Sequence, residues 1–100
     1  MPRVGKTYDL PLGAVDPHVS ATPTSTVDVK TITAPKDAGG FLITCETTGC
    51  RFTIDGTTPD ATNGIPLAAA AAPLFVPLGR DIKVVSQAAA NSVVHVLWFA

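Results

Sequence analysis

The strongest constraint on this chain is a period of two. Apolar residues alternate with polar ones in short runs, and no window of about 11 residues carries the 3.6-residue spacing of a buried helix face. Phe41, Ile43 and Cys45 fall on one side of the run Phe41 to Glu46. After the turn residues Thr47, Thr48 and Gly49, the residues Cys50, Phe52 and Ile54 share a side again, which leaves Arg51 and Thr53 facing outward. Side chains on successive strand residues point to opposite faces, so this alternation predicts half-buried strands. Ile82, Val84 and Ser86 repeat it, and Val93 to Phe99 is the strongest run of all. Dense turn chemistry separates the runs: Pro35 to Gly40, Asp55 to Gly64, and Gly79 to Asp81. The five alanines Ala68 to Ala72 lie between Pro66 and Pro73. That is too short a stretch to nucleate a helix, and it reads as a turn or loop. The spacing predicts about six to eight short strands in an all-β fold, a small β-sandwich or jelly-roll-like barrel.

The first 26 residues differ. Pro2, Pro11, Pro17 and Pro23 break helices and remove ladder donors, so residues 1–26 read as an extended arm and residues 27–100 as the β-sandwich domain. Within that domain the first alternation places Val27 and Val29 on one side and Asp28, Lys30 and Ile32 on the other. The fragment Tyr8-Asp9-Leu10-Pro11-Leu12 could add to a sheet edge, and an arm of about 25 residues can reach a neighbouring subunit.

Seven basic against eight acidic residues leave a formal net charge of -1, so nothing draws the chain to a phosphate backbone or an anionic membrane. The longest apolar run, Leu67 to Val76, is about half of what a membrane span needs. No nucleic-acid or membrane partner is expected. Met1 to Lys6 leads into mixed polar residues with no apolar segment, and no secretory signal is expected.

Groups with catalytic chemistry are sparse. His18 lies in the Pro-rich stretch and His95 in an apolar strand, on the face opposite Val94, Val96 and Trp98, where it reads as a surface or interface residue. The two histidines lack the paired spacing of a structural zinc site. Asp55, Asp60 and Asn63 are oxygen donors that a calcium ion would accept, but Asx and hydroxyl side chains in a tight loop more often bond their own backbone. Glycines match no phosphate-binding loop. No cofactor or metal is expected, and an enzyme is the least supported class. Cys45 and Cys50 read as two buried thiols, with a cross-hairpin disulfide as the alternative.

The last strand is apolar on both faces: Val94, Val96 and Trp98 on one, Val93, His95, Leu97 and Phe99 on the other. A protein this small does not easily bury both. Either the second face meets another chain, or the strand is central and covered by the arm or a second sheet. The candidate interface residues are Tyr8, Leu10 and Leu12 in the arm and His95, Leu97 and Phe99 on the strand.

Arg51 to Leu67, with its Arg-Phe-Thr-Ile-Asp-Gly-Thr-Thr-Pro hairpin, followed by Ile82-Lys83-Val84-Val85 and the terminal Val94 to Phe99, resembles a family of small tailed-bacteriophage proteins. The resemblance covers roughly residues 40 to 100 and leaves the arm unmatched. It implies a non-enzymatic virion protein on the outer surface of the capsid, assembled in the host cytoplasm. The implied role is a decoration or cement protein that clamps neighbouring copies of the major capsid protein, often as a homo-oligomer such as a trimer. Family members often lack cysteine at the positions of Cys45 and Cys50, which supports the packing reading of these two residues. A head-tail or tail accessory subunit is a second virion reading. The Asp-Gly-Thr-x-Pro turn also occurs in chitobiase-type β-sandwich appendages of carbohydrate enzymes, which makes a carbohydrate-binding module the alternative from another class.

Overall fold

The computed structural model describes residues 18–100, which form eight strands and no helix. They are β1 (Val19–Ala21), β2 (Lys30–Ile32), β3 (Gly40–Glu46), β4 (Cys50–Thr53), β5 (Ile65–Leu67), β6 (Leu74–Val76), β7 (Ile82–Ser86) and β8 (Val93–Phe99). Two four-stranded sheets result, ordered β1-β8-β3-β6 and β2-β7-β4-β5. Every pair is antiparallel, and the pairs β1·β8, β2·β7, β3·β6 and β4·β5 nest inside one another. That nesting is what one long hairpin produces when it rolls up. The pairs β3·β8 and β4·β7 then join the nested pairs into sheets. This is the strand order of an eight-stranded jelly roll, two Greek keys closed face to face.

The core lies where alternation predicts it. Phe41, Ile43, Cys45, Val94, Val96 and Trp98 project from the first sheet, and Cys50, Phe52, Ile82 and Val84 meet them from the second; each is at most 1% exposed. Phe41 stands opposite Trp98 in register, with ring centroids 5.1 Å apart, and reaches across to Phe52 at 6.5 Å. Both contacts are edge-on, the geometry that ring quadrupoles favour. Prolines mark edges. Pro66 sits in the edge strand β5, and Pro77 follows the edge strand β6, where a missing donor costs no ladder bond.

Three details depart from the sequence reading. Strand β1 lies inside the stretch assigned to the arm, and Pro23 behind it is fully buried, so the domain already includes residues from Val19 onward. Val27 does not begin a strand. The Asp28 carboxylate accepts bonds from the Thr24 amide and hydroxyl, both at 2.9 Å, which closes a turn there and leaves Val27 81% exposed. Thr53 does face outward, yet it is buried, because the loop after it folds back and Thr53 Oγ1 donates to the Thr57 carbonyl at 2.6 Å.

Candidate functional site

Strand β8 is central in the first sheet, so its inner face is spent on the core and its outer face carries whatever the sheet presents. Directly opposed residues of an antiparallel pair share a face. The register therefore sets Leu97 beside Leu42 and Leu42 beside Phe75, an apolar row crossing three strands on the outer surface. Phe99 extends the row. It stands opposite Gly40, and the Phe75 ring leans over that bare position to meet Phe99 edge-on at 6.2 Å. Phe75 remains 44% exposed, while Leu42, Leu97 and Phe99 are half-buried.

The other end of the same face is polar. His95 Nε2 lies 2.6 Å from Glu46 Oε2, and His95 Nδ1 lies 2.7 Å from His18 Nε2. The ring centroids of the two histidines are 4.9 Å apart, close to the separation of two imidazoles joined nitrogen to nitrogen, so the rings meet head-on rather than stacked. A carboxylate only accepts, which makes Nε2 of His95 a donor and leaves its Nδ1 to accept from His18 when both rings are neutral. Thr44 and Ser20, the residues opposite His95 on either side, are uncharged; the Thr44 hydroxyl donates to the Ala71 carbonyl at 3.3 Å. A shallow groove lined by His18, Leu42, Thr44, Pro73, His95 and Leu97 runs between the two ends. The arrangement can hold an apolar partner at one end and store a proton at the other.

The remaining candidates resolve differently. Asp60 accepts from the Thr62 amide and hydroxyl and from the Asn63 amide and side chain, all within 3.1 Å, and Asp55 accepts from the Thr57 amide and hydroxyl. Those bonds hold the Asp60 carboxyl down at about 2, with the Thr62 amide the largest cause. Both Asp60 oxygens and one oxygen of Asp55 thus accept from the loop's own donors. No group of three or more His, Cys, Asp or Glu among the described residues is placed to hold a metal ion. Cys45 and Cys50 are both free and buried, each on a different sheet, facing the core. Burial, and then the Cys45 thiol beside it, pushes the Cys50 thiol far up from its ordinary value. A second groove is open and carries the charged side chains Asp55, Arg80, Asp81 and Lys83 beside Ile54. There Lys83 donates to the Gly56 carbonyl, and Asp81 accepts from the Ala34 amide.

Of the six candidate interface residues, His95, Leu97 and Phe99 share this one outer face, whereas Tyr8, Leu10 and Leu12 lie outside the described residues. Sequence reasoning missed Leu42, Glu46, Phe75 and His18 as their partners. Alternation within β3 does put Leu42, Thr44 and Glu46 on the outward side, but the neighbour of that strand is a matter of pairing, and His18 carries no local signal. The chain matches no protein-family model, no curated protein and no solved structure.

Proposed function

We propose that this chain is a non-enzymatic structural protein of a tailed-phage particle, a decoration or cement subunit that sits on the outer surface of the capsid and holds neighbouring copies of the major capsid protein. The observation that carries this reading is the outward apolar row of half-buried Leu42, Leu97 and Phe99 and exposed Phe75, on a sheet whose other face already completes the core. An apolar patch on a small charge-poor domain is a surface for another protein. Leu97 and Phe99, with His95 at the rim, are the contact residues on the domain, and Tyr8, Leu10 and Leu12 supply the contacts of the N-terminal segment. A net charge of -1 supports dense packing of many copies, homo-oligomers such as trimers included, because it minimises repulsion between them. The jelly-roll order adds support by analogy alone, since it recurs in viral capsid domains and equally in lectins.

The test is a count of this chain against the major shell protein in purified particles by quantitative mass spectrometry. Copies on the order of hundreds per particle support a decoration role, as a repeated shell site requires. About a dozen or fewer move the chain to the neck or tail. Absence from the particle sinks the virion reading and leaves the carbohydrate-binding module. The full chain carrying Leu97→Asp should stay folded but no longer attach to shells. Attachment as tight as that of the unaltered chain would remove the outer face from the proposal.

A further inference from the structure

The Glu46, His95 and His18 chain has a property that follows from counting protons, whatever the domain binds. With both rings neutral, His95 donates to Glu46 through Nε2 and accepts from His18 through Nδ1. One added proton fits without loss. It can settle on the outer nitrogen of His18, or on His95 Nδ1 with His18 turning acceptor, and the head-on bond survives either way. A second added proton does not fit. It sets an N–H of one cation against an N–H of the other across 2.7 Å, with no lone pair between them. Glu46 then favours keeping the charge on His95, so the link that fails is the one to His18.

Strand β1 is the element that this link braces, beside its own ladder with β8. It has three residues, lies at the sheet edge, pairs only with β8, and directly follows His18 in the chain. No other charged side chain of the described residues is paired with either ring. On the face of the pair, β1 offers Ser20, β3 offers Leu42 and Thr44, β8 offers Leu97, and Pro73 lines the groove beside them, none of which titrates near neutrality. Among the described residues Glu46 is therefore the one charge paired with the rings.

We infer that this chain is a proton-counting latch: it holds β1 against β8 while the two rings share at most one extra proton, and it releases His18 and β1 when both rings are protonated. Protonation of both rings thus frees the start of β1 while the rest of the sandwich stays closed. The device is independent of the virion reading and stands or falls without it.

The test is an NMR titration of the full chain from about pH 7.5 downward, through the range in which histidine takes up protons. Imidazole nitrogen shifts report how many protons the two rings carry, and cross-strand contacts report the strands. Ser20 and Thr44 stand opposite His95 on either side. The contact between Ser20 and His95 should disappear as the second proton binds, while that between Thr44 and His95 persists. In His18→Gln, whose amide can donate to His95 Nδ1 but does not titrate, the Ser20 contact should be independent of pH over the same range. A Ser20 contact that survives with both rings protonated overturns the latch, and so does a His18→Gln variant that loses the contact at the same pH as the unaltered chain.

Discussion

The ring of Phe75 lies against the bare Cα of Gly40: a Cβ built at Gly40 would stand 3.0 Å from the tip of that ring and 3.0 Å from the Val76 carbonyl oxygen. Glycine is normally unfavourable in a strand, but here its missing side chain admits an aromatic ring that completes the outer apolar row. Gly40→Ala should therefore destabilise the domain, by about 1 to 3 kcal/mol, through strain at a backbone atom that has little room to move. Chemical denaturation would measure it. A variant as stable as the unaltered chain would show that the ring shifts aside freely.

Trp98 is the largest fully buried side chain, and its Nε1 is the one buried side-chain nitrogen or oxygen among the described residues without a hydrogen-bond partner. Trp98→Ala should cost about 3 to 5 kcal/mol through the cavity it leaves against Phe41. Trp98→Phe should cost under about 2 kcal/mol, since the smaller void is offset by removing an unsatisfied donor. Melting curves distinguish the two. Equal losses would mean that the indole nitrogen finds a partner, such as buried water.

Both thiols should resist alkylation in the native protein. The thiolate is the nucleophile, and burial holds Cys50 in its protonated form well above neutral pH. Labelling followed by mass spectrometry should show modification only as fast as the whole domain opens. Rapid labelling of Cys50 in the absence of denaturant would contradict its placement in the core.

Acid should loosen the loop between β4 and β5. The Asp60 carboxyl is depressed from 3.8 to about 2, so its contribution is complete above the unfolded value and is lost as the pH falls from about 4 through about 2. Asp28 and Asp55 are lowered by similar bonds, from Thr24 and Thr57, and add the same sign. Thermal stability should therefore be level above about pH 4 with respect to these groups and decline below it. Asp60→Ala should flatten that decline. An unchanged acid slope in the variant would show that the loop bonds form equally well to the protonated acid.

Much of this protein is local and was legible as such. Alternation assigns Phe41, Ile43, Cys45, Cys50, Phe52, Val94, Val96 and Trp98 to the interior and His95, Leu97 and Phe99 to the outside, because the strand backbone alternates its side chains wherever it is extended. The Asx and hydroxyl residues around Asp60 close their own turn for a similar reason, since their partners lie within three residues. Pairing is different in kind. Nothing near Gly40 announces Phe75, nothing near His18 announces a ring 77 residues away, and Val27 reads as a strand residue until the bonds from Thr24 to Asp28 bend the chain. Which strands become neighbours depends on the burial of all eight at once, so only the rolled tertiary structure could bring Leu42, Phe75, Leu97 and Phe99 into one patch and set Glu46, His95 and His18 in one line.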